Sequence, residues 1–154
     1  ITLGIDGCSA PVFALPLYHM ALAYLKMSNP DLISEKKERE AANRIFDAMI
    51  NYPQMISGSD GFCTELIRHS HGKLIGKIGA EGVYCVGVRS KGIAIAVKMD
   101  DGNMDVLSSI IVEMLTRLNV FTEEEKKNLE KFRIRKSLND RKIVVGFQKP
   151  FSTL

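Results

Sequence analysis

Two glycine-bracketed segments of this 154-residue chain carry side chains able to do chemistry. In Asp6-Gly7-Cys8-Ser9-Ala10-Pro11 a thiol sits on turn-forming sequence and not inside a core element. A cysteine so placed can approach a helix amino end, which favours the thiolate and a nucleophile or metal-ligand role. The alternative is a turn cysteine with no task. In Lys77-Ile78-Gly79-Ala80-Glu81-Gly82 a lysine leads into a sheet strand and a run of small residues. Glycines there would let a substrate lie against the backbone, which makes Gly79, Ala80 and Glu81 the candidate substrate-binding stretch. A buried lysine beside another cation loses its proton readily and can serve as a base. The alternative is a salt bridge from Lys77 to Glu81.

Other reactive side chains are less telling. The three histidines are not spaced as a zinc site, and His69 and His71, two apart at a predicted helix end, are expected to be partly exposed. Cys63 and Cys85 fall within a predicted helix and a predicted strand, where cysteine behaves as a small buried hydrophobe. Gly72-Lys73 and Gly76-Lys77 lack the spacing and the following Ser or Thr of a phosphate-binding loop. Three cysteines without a CxxC pair argue against a disulfide framework and for a reducing compartment, the cytoplasm.

Composition narrows the function classes further. Twenty-one basic against eighteen acidic residues leave +3, too small and too scattered an excess for a nucleic-acid footprint. At 45% apolar and 25% charged, the chain has ordinary globular composition, and its length fits one domain over residues 1–154. No apolar run reaches the ~18 residues that suggest a membrane span. Asp6 stands where a signal peptide would be basic. The chain opens on Ile1-Thr2-Leu3-Gly4-Ile5-Asp6, a strand already running into its turn without an initiator Met, so a processed or truncated chain is expected.

The elements that must hold these groups follow from periodicity. Phe13, Leu17, Met20, Ala21, Tyr24 and Leu25 form one helical stripe within 12–26, and Pro16 means that the helix starts near it or kinks there. Asn29-Pro30 reads as a cap and first-turn proline of the next helix, whose apolar face is Ala42, Ile45, Phe46, Met49 and Ile50. The run Glu35 to Glu40 is its solvated face. Tyr52-Pro53 ends that helix, and a short one is expected over Phe62–His69. Gly82–Val88 and Gly92–Met99 then alternate with period two, joined through Arg89-Ser90-Lys91-Gly92 as a hairpin. Gly87, Ala94 and Ala96 predict a closely packed layer on this sheet. Val106 to Leu118 gives the clearest amphipathic helix, and Thr122 with Glu125 a capping box for a helix ending near Phe132. Lys142–Gln148 reads as a closing strand. The order predicts an α+β domain with helices packed on an antiparallel sheet.

Lys77-Ile78-Gly79 resembles the Lys-Thr-Gly strand of penicillin-recognising serine enzymes. Taken in order, the Asp6–Pro11 segment, the Lys77–Val83 segment, Gly92-Ile93-Ala94-Ile95-Ala96-Val97-Lys98 with Asp101-Gly102, and the Asn139–Gly146 stretch resemble the asparaginase II family, the thermolabile rhizobial type of L-asparaginase. The resemblance covers essentially the whole chain but only the second half of the family's length. It implies a fold similar to part of the serine β-lactamase and transpeptidase group, and hydrolysis of asparagine to aspartate and ammonia. A serine made nucleophilic by a lysine would attack the amide carbon, backbone amides would hold the oxyanion, and water would release aspartate. Lys77 falls on the family's catalytic lysine. Cys8 falls on a cysteine that helps to bind zinc, with the remaining ligands in the amino-terminal half.

Departures from the family pattern bear on the details. The nucleophilic serines, including a Ser-x-x-Lys pair, belong to the first half; such a pair is expected to be absent here, and Ser137 matches no family nucleophile. Tyr52-Pro53 stands where His-Pro is expected, and Asn103-Met104 where Arg-Ala is usual. The chain alone is therefore expected to be catalytically incomplete. Its implied partners are asparagine, the amino-terminal half of the same protein and a second copy in a homodimer, with no nucleic acid and no membrane. Two other functions compete with the asparaginase. One is a non-catalytic binding domain of the same fold, and the other a serine acylase of β-lactamase type acting on another amide.

Overall fold

The computed structural model describes residues 2–150, so Ile1 of the expected first strand lies outside the described residues. The chain runs β1 (Thr2–Ile5), β2 (Pro11–Ala14), α1 (Leu17–Ser28), α2 (Lys36–Asn51), α3 (Gln54–Ser57), α4 (Phe62–His69), β3 (Leu74–Gly79), β4 (Val83–Val88), β5 (Ile93–Lys98), α5 (Leu107–Arg117), α6 (Glu123–Arg133), β6 (Arg135–Leu138) and β7 (Val144–Gln148). It is an α+β fold. The strands form three antiparallel sheets, the pairs β1–β2 and β6–β7 and the central sheet β3–β4–β5.

The central sheet is covered on both faces. Tyr84, Val86 and Val88 of β4 point into the main core with Leu66 and Ile67 of α4, Leu107, Ile111 and Leu115 of α5, and Leu129 of α6. Each such side chain taken fully out of water contributes about 1.5–3 kcal/mol. The opposite face receives α1, which lies across β4 and β5, with α2 behind it. This is the close layer that Gly87, Ala94 and Ala96 predict. A Cβ on Gly87 would stand 2.4 Å from the Tyr24 carbonyl oxygen and 2.7 Å from Ser28 Oγ, so only glycine lets the helix sit that low.

Three buried carboxylates fasten α6 in place. Glu125 meets Lys73 Nζ at 2.6 Å, Glu65 of α4 meets Lys131 at 2.7 Å, and Glu113 of α5 meets Arg133 at 2.7 Å. The capping box expected at Thr122 is formed, with Glu125 Oε2 accepting from Thr122 N and Thr122 Oγ1 from Glu125 N.

Several expectations need correcting. Of the two alternatives at Pro16 the helix starts beside it, so residues 12–14 of the expected stretch belong to β2, and Phe13 is a strand residue that is largely exposed. Pro16 has ψ 142°, outside the helical range, and the residue before a proline avoids the α region, so α1 begins at Leu17. Asn29 and Pro30 do stand at the cap and first position, but of a short 3₁₀ helix and without a side-chain cap bond. The Asn29 amide donates back to Leu25 O, Pro30–Leu32 forms a single 3₁₀ turn, and α2 starts at Lys36. The closing strand β7 joins not the central sheet but β6, whose charged sequence Arg135-Lys136-Ser137-Leu138 gave no apolar alternation to find. Lys77 lies within β3 itself, so the expected hairpin is the second half of a three-stranded meander.

Candidate active site on the lysine strand

Strand register sorts the α1-facing side of the central sheet into rows. Ile75, Gly87 and Ala94 make one row, Lys77, Cys85 and Ala96 the next, and Gly79, Val83 and Lys98 the third. The first row is sealed by Tyr24 and Ser28 of α1 over Gly87. Lys77 and Lys98, one and two rows further on, are exposed.

Lys77 is exposed and does not stand in the buried setting that would favour a lysine base. Its Nζ donates to Ile78 O at 2.5 Å, and among the described residues it forms no ion pair. The alternative of a Lys77–Glu81 salt bridge is therefore not realised. The strand sits at the edge of its sheet, where outward backbone groups go unpaired unless side chains reach them. At Ile78 both are reached: the N–H donates to Cys63 Sγ at 3.3 Å, and the carbonyl takes Lys77.

The turn after β3 gathers two motif segments that are distant in sequence. Glu81 and Gly82 have φ 56° and 72°, the sign that a tight hairpin turn needs at both central positions. At Glu81 this left-handed backbone costs roughly 1–2 kcal/mol. Gly82 O accepts from Met99 N at 2.9 Å, and a Cβ on Gly82 would lie 2.7 Å from Met99 Cβ and 3.0 Å from the Gly102 carbonyl carbon. Glu81 and Gly82 thus pack on Gly102 and Met99. Gly79 is half-buried, and Ala80 and Glu81 are exposed beside the lysine.

Cys8 lies elsewhere. Its turn joins β1 to β2, so it does not stand at a helix amino end. Asp6 Oδ1 closes the turn, accepting from Cys8 N at 3.0 Å, Ala10 N at 3.0 Å and Cys8 Sγ at 2.9 Å. The thiol bond, foremost, and the backbone bonds hold the Asp6 carboxyl below its ordinary range. Among the described residues no hydrogen bond or ion pair joins this hairpin to the lysine strand. Zinc takes four donors in a closed site, and no group of three or more His, Cys, Asp and Glu among the described residues is placed to hold a metal ion. Cys8 and Asp6 supply two donors at most and do not make a zinc site by themselves.

A nucleophile is harder to place. Contrary to expectation, the Ser-x-x-Lys spacing occurs twice, at Ser34–Lys37 and Ser70–Lys73. Neither is a nucleophile–base pair. Ser34 and Lys37 are both exposed, with the serine ahead of α2. Ser70 ends α4 fully buried with its hydroxyl on Ile67 O, and Lys73 Nζ is held by Glu125. Helix geometry, which puts residues three apart on one face, has stopped there: His71 and Gly72 have φ 49° and 80°. The buried cysteines behave as read from sequence. Burial pushes the Cys85 thiol up, and Cys63 accepts from the Tyr84 hydroxyl at 3.3 Å. Burial, with the two thiols nearby, also pushes Tyr24 up to about 12, which keeps its hydroxyl protonated. Sequence reasoning did not single out Lys98, although the alternation of 93–98 already placed it on one face with Ala94 and Ala96.

Against this geometry, the family model described as L-asparaginase II matches residues 1–150. The chain belongs to the L-asparaginase II family. No curated protein matches it. Membership covers the β1–β2 turn, the lysine strand and the β6–β7 hairpin alike, so the motif segments that read as one family in sequence do fall within one family match. Among the described residues no helix is long and apolar enough to cross a membrane.

Proposed function

We propose that the chain supplies the lysine-bearing part of an asparaginase-type amidohydrolase, and that Lys77 is its catalytic lysine. The observation that carries this is the state of Lys77: exposed, on an edge strand, and without a carboxylate partner among the described residues, in a chain of the L-asparaginase II family. An amine whose one hydrogen bond is to a neighbouring carbonyl is free to leave it for a hydroxyl brought alongside. In its unprotonated form that amine takes the proton of a serine as the serine attacks the side-chain amide carbon of asparagine. The proton passes to the leaving ammonia, and water releases aspartate from the acyl-enzyme. The serine comes from chain outside these residues, the amino-terminal half, because neither Ser-x-x-Lys pair here is arranged to react. Gly79, Ala80 and Glu81 line the substrate's path past the lysine, and Glu81 owes its place to the packing of Gly82 on Gly102.

Helices on both faces of an antiparallel sheet, with the lysine on an edge strand, support the likeness to the serine β-lactamase and transpeptidase fold. Cys8 is proposed as one ligand of a zinc ion whose other donors lie beyond Cys8 and Asp6. A reducing, cytoplasmic setting suits three free thiols. Ammonia release tests the whole reading. The enzyme carrying this chain with its amino-terminal half should hydrolyse asparagine and leave a chromogenic β-lactam intact. The 154-residue chain alone should release no ammonia above a buffer blank. Turnover of the β-lactam in place of asparagine would favour the acylase, and inactivity of the longer protein on both would favour a binding domain.

A further inference from the structure

An amino-acid amide presents two features to an enzyme, the bond to be cleaved and an α-carboxylate that needs a cation. Lys77 addresses the first. The register of the central sheet places one other lysine on the same open face: Lys98, at the end of β5, in the row of Gly79 and Val83. Like Lys77 it is exposed, and among the described residues it pairs with no carboxylate; its Nζ donates to the carbonyl of its own neighbour, Met99. Lys73, Lys126, Lys131, Arg89 and Arg133 are by contrast held in ion pairs.

Dimensions fit one small ligand between the two amines. Two strand spacings across and two residues along separate the Cα atoms of Lys77 and Lys98 by about 12 Å. Asparagine is roughly 5 Å from amide carbon to carboxylate, so the substrate with the attacking serine at one end and a hydrogen bond of about 2.8 Å at the other spans a distance that the two flexible lysine stems can set between their amines. Between the lysines the floor is Gly79 and Val83, half-buried positions with small side chains, while Cys85 in the row behind is buried. On the other side, the first row is closed by α1 over Gly87.

We propose that Lys98 binds the α-carboxylate of the substrate and so selects free amino-acid amides over blocked ones. This deepens the asparaginase reading and rests on it. The test compares asparagine with asparaginamide, whose α-carboxylate is an uncharged amide, on the enzyme carrying this chain. For Lys98→Met, kcat/KM for asparagine should fall roughly 10- to 100-fold, the range for losing a hydrogen bond to a charged group, with the loss in KM and kcat nearly kept. Asparaginamide should lose less than about twofold on the same scale. Lys98→Arg, which keeps the charge, should restore most of the preference, and unchanged melting temperatures would exclude misfolding. Equal losses on both compounds, or none on either, would overturn the role of Lys98 and leave the asparaginase reading standing. A wild-type enzyme that hydrolyses neither compound would overturn both.

Discussion

Removing the amine of Lys77 should separate folding from catalysis more cleanly than any other change in this chain. The side chain is exposed, forms no ion pair among the described residues, and gives up one hydrogen bond to Ile78 O. That carbonyl sits on an edge strand, where water replaces the lost donor. Lys77→Ala should therefore change stability by no more than about 0.5 kcal/mol, the usual range for a surface position. Its melting temperature should match that of wild type. Catalysis should respond quite differently, because proton transfer by a positioned group is worth roughly 100- to 10,000-fold in rate. The loss should fall on kcat for asparagine, and Lys77→Arg should not rescue it, since a guanidinium keeps its proton at working pH. Glu81→Gln serves as the control for a structural pairing. With no Lys77–Glu81 bridge present, it should not reproduce the Lys77→Ala loss. Steady-state ammonia release by each variant, beside its thermal melt, makes the comparison. Near-normal kcat in a folded Lys77→Ala enzyme would remove the lysine from the mechanism, and a large fall in melting temperature would refute the account of its surroundings.

Gly87→Val should lower stability by at least about 1–3 kcal/mol, because its Cβ meets backbone and the base of Ser28 and not a flexible tip; an unchanged urea midpoint would contradict the packing of α1 on the sheet. Acid should unfold the chain through Glu65, Glu113 and Glu125. For Glu65 the Lys131 bond, and for Glu113 the Arg117 bond, leads in holding the carboxyl below its ordinary range; at Glu125 burial pushes up, but the bonds to Lys73 and Thr122 outweigh it. Groups lowered by folding stabilise fully above the unfolded value near 4.5, and that contribution is lost as pH falls through the lower folded values. Glu125→Gln should cost about 1–2 kcal/mol at neutral pH, since Lys73 is partly exposed, and should flatten the acid limb of stability against pH. The chain on its own should self-associate, because Leu3, Ile5, Val12 and Phe13 of one hairpin and Leu138, Val145 and Phe147 of the other are exposed together; a monomer at all concentrations in sedimentation, with no dye-binding surface, would count against this.

Sequence alone determined what local physics controls. The Thr122–Glu125 box, the short helix over Phe62–His69, the alternation in Val83–Val88 and Ile93–Lys98, and the small residues at Gly87, Ala94 and Ala96 each depend on neighbours a few positions away or on a face the period itself defines. The family was legible for a related reason, since segments such as Lys77–Gly82 keep their residue types wherever they fold. Pairing partners were not legible. Phe13 fitted a helical stripe as well as a strand, and only β1 beside it and Pro16 after it made residues 11–14 extended. Arg135–Leu138 has no pattern of its own and is a strand because β7 lies against it. The site divided in the same way. Sequence could name Lys77, but not whether a carboxylate would neutralise it, nor that Lys73 of a Ser-x-x-Lys spacing is held by Glu125, fifty-two residues on. It could not align Lys98 with Lys77 either, because which residues share a row across three strands is fixed by hydrogen-bond register, and register exists only once the strands have paired.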